Sequence, residues 1–135
     1  MVEVNVPRVL LVDDDADLLR QMGTVFLAGG YEVQIAEDGE AGLAALKASP
    51  VDLVVTDIIM PVREGVETIL AIKAHAPDTR VIAISGGYRV GPKDFLTLAR
   101  HVGADEVMAK PFRPSALLAA ADRLLQRPVA VVRAV

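Results

Sequence analysis

The chain has 135 residues with 53% hydrophobic side chains and a formal net charge of −4, a size and composition that fit one globular domain with its own core. It contains no cysteine, which excludes disulfides, thiolate zinc sites and cysteine nucleophiles. The negative charge and the lack of a basic run argue against direct nucleic-acid binding, and the lack of a signal peptide or a long apolar stretch predicts a cytoplasmic protein without membrane insertion.

Five short apolar runs are typical of buried parallel strands, because charged, glycine or serine residues end each of them. They lie at residues 8–12, 32–36, 52–56, 80–84 and 105–109. Between and after these runs, apolar residues recur at three- and four-residue spacing, which predicts five helices that each bury one face. The third buried face includes Ile69 and Leu70, and the fourth extends from Phe95 to Val102.

Strict alternation of strands and helices with short connections predicts an α/β fold, a doubly wound parallel sheet between two helical layers. In such a sheet, ligands bind at the carboxyl ends of the strands. The residues at those ends carry three carboxylates, one hydroxyl and one ammonium group. They are Asp13, Asp14, Asp57, Ser85 and Lys110.

The carboxylates need positive charge nearby, because each pair about 4 Å apart repels by roughly 4 kcal/mol at an effective dielectric near 20. Lys110 supplies one unit only, so a divalent cation is expected, and carboxylates without histidine favour Mg²⁺, with Mn²⁺ as a substitute. In that setting Asp57 can attack a phosphoryl group, whose oxygens Ser85 and Lys110 would bind. The neighbouring Asp15 is expected to cap the first helix rather than hold the metal.

Four stretches together resemble the receiver domain of two-component response regulators, and the resemblance covers residues 8–127. The stretches are VLLVDDD, DLVVTDIIMP with the following Gly65, VIAISGG and GADEVMAKPF. The resemblance implies a flavodoxin-like (βα)5 fold with strand order 2-1-3-4-5 and three layers. It divides the chain into an N-terminal extension (1–7), a stand-alone receiver domain (8–127) and a C-terminal tail (128–135).

The resemblance also implies specific roles for the strand-end residues. Asp57 would accept a phosphoryl group from a phosphohistidine on a sensor histidine kinase or a histidine phosphotransfer protein. The metal ligands would be Asp13, Asp14, Asp57 and the backbone carbonyl of Ile59. Ser85 and Lys110 would contact the phosphoryl group, and the bond between Lys110 and Pro111 would be cis.

A protein of this kind is a signalling switch rather than a turnover enzyme, because it catalyses only its own phosphorylation and dephosphorylation. Its output would be a changed affinity for an unidentified downstream protein. The chain itself is expected to be a monomer or a weak homodimer.

Two features depart from the family pattern. Val107 stands three residues before Lys110, where the family normally carries the tyrosine or phenylalanine that reports phosphorylation. The segment between Ser85 and Lys110 is also longer than is usual in the family. We hypothesise that Tyr88 or Phe95, both in that segment, takes the place of the missing ring.

Three other functions are compatible with parts of the pattern. A phosphatase could use Asp57 as an intermediate nucleophile, but Ile59 stands where an acid for the leaving group would be needed. A degenerate receiver could act as a phosphorylation-independent interaction module, which Val107 favours and the complete acidic set disfavours. A flavin-binding relative would need a phosphate-cradling loop after the first strand, where Asp13 and Asp14 would repel phosphate instead.

Overall fold

A computed structural model of the chain describes residues 6–58, 62–85 and 101–127, with the backbone alone at 62–65. Its strands are β1 (Arg8–Val12), β2 (Glu32–Ala36), β3 (Leu53–Asp57), β4 (Arg80–Ser85) and β5 (Glu106–Ala109). Its helices are α1 (Ala16–Ala28), α2 (Gly39–Ala48), α3 (Val62–His75) and α4 (Pro114–Leu124). All strand pairs are parallel, and the order is β2-β1-β3-β4-β5. This order confirms the flavodoxin-like fold.

Side chains alternate between the two faces of the sheet, so each strand contributes to two cores. On β1, Val9 and Leu11 pack with α1 and α4, whereas Leu10 and Val12 pack with α2 and α3. Both faces are covered by helices, which explains why the strands are continuously apolar rather than alternating with polar residues. The result is the predicted three-layer arrangement.

The predicted elements agree with the structure in position, with small differences at their ends. The third strand begins and ends one residue later than predicted, so Asp57 is its last residue. Leu70 was expected on a buried face but is exposed, and Ile72 is buried in its place. The reason is that the buried face of α3 follows the three-residue step from Ile69 to Ile72, which turns the side chain of Leu70 toward solvent.

The fourth predicted helix falls mostly outside the described residues, as do Tyr88 and Phe95. Its last predicted residue, Val102, is helical and packs in the core beneath α2 and α3. In the described part of the chain, no helix combines the length and apolar character needed to cross a membrane.

Two capping aspartates and one proline mark where three of the helices begin. The side chain of Asp15 caps α1, and the side chain of Asp38 caps α2 by accepting a 2.7 Å hydrogen bond from the backbone N–H of Ala41. Pro114 occupies the first turn of α4, where its missing N–H costs nothing. These starts place the N-termini of α1 and α2 at the carboxyl edge of the sheet, beside the predicted site.

Candidate functional site

Three carboxylates meet at the carboxyl edge of the sheet. Asp13 directly follows β1 and is 2% exposed, Asp14 is exposed, and Asp57 ends the adjacent strand β3. One carboxylate oxygen from each residue lies within 4.8 Å of the other two. The adjacency of β1 and β3 brings these residues together although more than forty residues of sequence separate them.

Lys110 joins two of these carboxylates. Its Nζ lies 3.2 Å from Oδ2 of Asp57 and 3.4 Å from Oδ2 of Asp13. The peptide bond between Lys110 and Pro111 is cis, the isomer that the resemblance implies. A single ammonium group therefore offsets part of the negative charge of the cluster.

Burial and neighbouring charges act in opposite directions on the pKa values of Asp13 and Lys110. Burial raises the pKa of the Asp13 carboxyl above its ordinary value, although the N–H of Asp15 and the ammonium of Lys110 favour the charged form. Burial lowers the pKa of Lys110, but the charges of Asp57 and Asp13 together outweigh it and leave the pKa raised. Lys110 is therefore charged at neutral pH and supplies one positive charge to a cluster of three carboxylates.

The backbone fixes Asp13 in place. Its own N–H donates to the carbonyl of Ala36 over 3.2 Å, which ties the end of β1 to the end of β2. Its Oδ1 accepts a 2.9 Å hydrogen bond from the N–H of Asp15. The second bond is an Asx turn, a pattern that an aspartate at the end of a strand favours. Sequence reasoning placed Asp15 as a cap but did not identify this bond.

Ser85 ends β4 and is fully buried. Within the described ranges, its Oγ has no hydrogen-bond partner, and an unpaired buried hydroxyl is costly. The N–H of Lys110 donates to the carbonyl of Ser85 over 2.8 Å, which holds these two residues side by side. A ligand oxygen arriving beside Lys110 would give the Ser85 hydroxyl a partner.

The donor set fits a hard divalent cation. Asp13, Asp14 and Asp57 supply only carboxylate oxygens, the ligands that Mg²⁺ prefers, and one to three carboxylates leave coordination positions for water or phosphoryl oxygens. Neither histidine nor cysteine belongs to this cluster, so its chemistry does not favour a softer transition metal. Ile59, the fourth predicted ligand, lies outside the described residues.

Val107 lies on β5 beside Ala83 of β4. Its side chain is partly buried and packs against the core beneath α2 and α3. An aromatic side chain at this place could rotate between a buried and an exposed orientation. Valine is too small for that movement, and its χ1 angle is restricted. The position at which the sequence departs from the family pattern lies on β5, the strand that leads to Lys110.

The chain matches the response regulator receiver domain family over residues 9–122. It is 36% identical to the transcriptional regulatory protein PrrA of Mycobacterium tuberculosis over 124 residues, which are 92% of this chain and 52% of that protein. It is 32% identical to the transcriptional regulatory protein CpxR of Escherichia coli over 120 residues, 89% of this chain and 50% of that protein. The chain therefore spans about half the length of these curated relatives.

Among solved structures, the chemotaxis response regulator CheY4 of Vibrio cholerae superimposes with a TM-score of 0.79 at 28% identity. The match covers 89% of this chain and 99% of that chain. The sequence match and the structural match thus indicate the same family. The chain belongs to the response regulator receiver domain family.

Proposed function

We propose that Asp57 is the phosphoryl acceptor of this receiver and that Lys110 and Ser85 bind the transferred group. The observation that carries this proposal is the contact of Lys110 Nζ with Asp57 Oδ2 at 3.2 Å. The backbone of Lys110 is bonded to that of Ser85, whose buried hydroxyl has no partner among the described residues. The carboxylate of Asp57 can accept a dianionic phosphoryl group, which the ammonium of Lys110 and the hydroxyl of Ser85 can then stabilise by donating hydrogen bonds.

The proposed reaction is a phosphoryl transfer from a phosphohistidine. A carboxylate oxygen of Asp57 attacks phosphorus, the phosphorus–nitrogen bond breaks, and its electron pair returns to the imidazole, which takes a proton. The ammonium of Lys110 and the hydroxyl of Ser85 donate hydrogen bonds to oxygens of the transferred group. Water later attacks the phosphorus and releases inorganic phosphate, which restores the carboxylate.

We assign the metal site to Asp13, Asp14, Asp57 and the backbone carbonyl of Ile59, with Mg²⁺ as the ion and Mn²⁺ as a functional substitute. When bound, the ion would neutralise the charge that develops on the transferring phosphoryl oxygens. The raised pKa of Asp13 supports this assignment, because burial disfavours its charged form and a bound cation would favour that form. Asp13 and Asp14 hold their carboxylates at the edge of the sheet on the same side as Asp57.

The donor would be a sensor histidine kinase or a histidine phosphotransfer protein, and the protein would work in the cytoplasm. We assign the receiver unit to residues 8–127, flanked by segments 1–7 and 128–135. Phosphorylation would change the affinity for a downstream protein, with the chain itself monomeric or weakly dimeric, and no external substrate would be turned over. This requires Ser85 and Lys110 to contact the phosphoryl group better in one of two conformations.

Intact-mass spectrometry tests this proposal. The protein is incubated with a small phosphodonor such as acetyl phosphate and Mg²⁺, and a gain of one phosphoryl group is expected. Asp57→Asn and excess chelator should each abolish the gain. Asp78→Asn, which changes an exposed aspartate in the loop before β4, should retain it.

The alternative of a phosphorylation-independent interaction module is favoured only by Val107. It predicts no mass gain with any small donor or with a phosphorylated histidine protein. A gain that persists in Asp57→Asn would also refute the proposal, because it would place the modification elsewhere.

A further inference from the structure

We propose that Asp15 is a positioning residue for the metal site, because by capping α1 it fixes the backbone N–H that orients the carboxylate of Asp13. The inference rests on the proposed function, since it takes Asp13 to be a metal ligand. Asp15 would thus influence the metal affinity without contacting the ion.

Asp15 is held at three points. Its side-chain Oδ1 accepts hydrogen bonds from the N–H of Asp17 at 3.0 Å and of Leu18 at 3.1 Å. Its carbonyl accepts the first bond of the helix, from the N–H of Leu19 at 3.0 Å. Its own N–H points away from the helix and donates to Oδ1 of Asp13 at 2.9 Å.

These bonds link the geometry of the helix start to the geometry of the site. The backbone of Asp15 is extended, with φ −90° and ψ 103°, and the two side-chain bonds to Asp17 and Leu18 hold it there. Loss of those bonds would let the first turn of α1 fray, since its N–H groups have no partner within the helix. The direction of the Asp15 N–H, and with it the bond to Asp13, would then no longer be fixed.

The two carboxylate oxygens of Asp13 have hydrogen-bond partners of different mobility. Oδ2 faces Lys110 Nζ at 3.4 Å, and a lysine ammonium sits on a flexible stem that can follow a rotating carboxylate. Oδ1 faces a backbone N–H that cannot follow. The rotation of the Asp13 carboxylate is therefore set by Asp15, which determines where Asp13 presents its oxygens to an ion.

Asp15 does not fit the role of a direct ligand. Within residues 6–58, 62–85 and 101–127, the acidic group whose oxygens approach within 4.8 Å consists of Asp13, Asp14 and Asp57. The carboxylate of Asp15 already accepts two hydrogen bonds from α1 and lies on the surface. Its effect on the metal should therefore depend on its capping ability and not on its charge.

Isothermal titration calorimetry with Mg²⁺ tests the inference, and it suits a chain without tryptophan. The full chain is compared with Asp15→Ala, Asp15→Ser and Asp38→Ala. Serine caps a helix without a charge, and Asp38 caps α2 through the N–H of Ala41. We expect Asp15→Ala to weaken Mg²⁺ binding about fivefold, the factor that corresponds to one lost cap. Asp15→Ser should stay within about twofold of the parent chain, since its cap is retained.

Asp38→Ala controls for a general loss of stability, and it should leave the affinity unchanged although it removes a comparable cap. A second readout needs no metal. The hydrogen bond to the Asp13 carboxylate should shift the amide proton of residue 15 downfield in NMR spectra of the metal-free chain. This shift should be lost in Asp15→Ala and kept in Asp15→Ser. Circular dichroism confirms that each variant is folded.

Two results would overturn the inference while leaving the proposed function intact. One is equal Mg²⁺ affinity of Asp15→Ala and the parent chain, and the other is Asp15→Ser binding as weakly as Asp15→Ala, which would indicate a charge effect. Absence of Mg²⁺ binding by the parent chain would instead refute the metal site of the proposed function, and the inference with it.

Discussion

Lys110 contacts carboxylates from two different strands, so one side chain controls much of the electrostatics of the site. Its Nζ lies within 3.4 Å of both Asp13 and Asp57, and the side chains of these aspartates are 0% and 14% exposed. Removing the ammonium would leave two largely buried carboxylates facing each other. Such a pair is expensive unless a metal or a proton compensates it.

We therefore expect Lys110→Met to lower the free energy of unfolding by about 1–3 kcal/mol at pH 7 in the presence of chelator. Saturating Mg²⁺ should restore part of this loss, because the ion replaces the missing positive charge. Urea denaturation checks both values. Lys47→Met, at an exposed lysine of α2, serves as the control. Equal stability of Lys110→Met and the parent chain would argue against charge compensation by Lys110.

The buried hydroxyls of Ser85 and Thr79 allow a direct comparison. The Oγ1 of Thr79 donates to the carbonyl of Val51 over 2.9 Å, whereas the Oγ of Ser85 has no partner in the described part of the chain. Ser85→Ala should therefore leave the free energy of unfolding unchanged or raise it by up to about 1 kcal/mol. Thr79→Val should lower it by about 1 kcal/mol. Urea titrations of the unmodified protein decide, and a clear loss of stability in Ser85→Ala would show that its hydroxyl is already bonded.

Sequence alone predicted that Asp13, Asp14 and Asp57 meet at one edge of the sheet, as they do, but not the detailed contacts around them. Strand ends can be read from apolar runs, and the topology of a parallel sheet brings those ends to one edge. The bond from Asp15 to Asp13 and the position of Lys110 between two carboxylates depend on side-chain directions. Those directions follow from the packed structure and leave no periodic signal in the sequence.

Two helix glycines, Gly23 and Gly42, differ in the space around them. Outside its own helix, a Cβ on Gly23 of α1 would meet Cγ1 of Val33 at 3.9 Å, an ordinary van der Waals distance. A Cβ on Gly42 of α2 would approach Cγ2 of Val12 to 2.9 Å. Gly42 thus allows α2 to lie close against the end of β1, directly before Asp13.

The two alanine variants should therefore have opposite effects. Gly23→Ala is expected to raise the free energy of unfolding by about 0.5–1 kcal/mol, through the higher helix propensity of alanine. Gly42→Ala gains the same propensity but must displace Val12, which costs about 1–3 kcal/mol, so a net loss is expected. Thermal unfolding measures both changes. A stabilised Gly42→Ala would mean that α2 is free to move away from β1.

Element positions were predictable because apolar periodicity records which faces are buried. The five strands were located to within a residue at each end, since their boundaries are charged or small residues. The exposure of Leu70 was missed because both three- and four-residue steps are compatible with a helix face. Only the packing of α3 against the sheet selects Ile72 instead.

A largely buried cluster joins the connection between α1 and β2 to the last helix, α4. The hydroxyl of Tyr31 donates to Oδ1 of Asp122 over 2.7 Å, and Arg127 lies 4.7 Å over the tyrosine ring. Nη1 of Arg127 also lies 3.6 Å from Oδ1 of Asp122 and donates to the carbonyl of Gly29. Nothing local in the sequence connects residues this far apart, so the cluster could not be predicted.

This cluster should make stability depend on pH under alkaline conditions. Burial and the hydrogen bond to Asp122 raise the pKa of Tyr31 above its ordinary value. The folded state therefore keeps the phenolic proton at pH values where the unfolded chain, with a tyrosine pKa of about 10, loses it. The contribution of Tyr31 is complete below about pH 10 and decreases as the pH rises above it.

Tyr31→Phe isolates this effect, because it keeps the edge-to-face packing on Phe26 and removes only the hydroxyl. We expect the variant to be about 1–2 kcal/mol less stable at pH 7. The difference from the parent chain should shrink above about pH 10, whereas lysines and other shared groups cancel in the comparison. Denaturation curves at pH 7, 9 and 11 provide the measurement. A difference that grows with pH would contradict the assigned sign.

We propose that the acidic edge of the sheet binds a divalent ion between Asp13, Asp14 and Asp57. Anomalous diffraction from crystals grown with Mn²⁺ in place of Mg²⁺ tests it most directly. We expect one strong anomalous peak within bonding distance of carboxylate oxygens of this cluster. Ordered density for all three carboxylates without a peak between them, or with Asp57 turned away from Asp13 and Asp14, would contradict it.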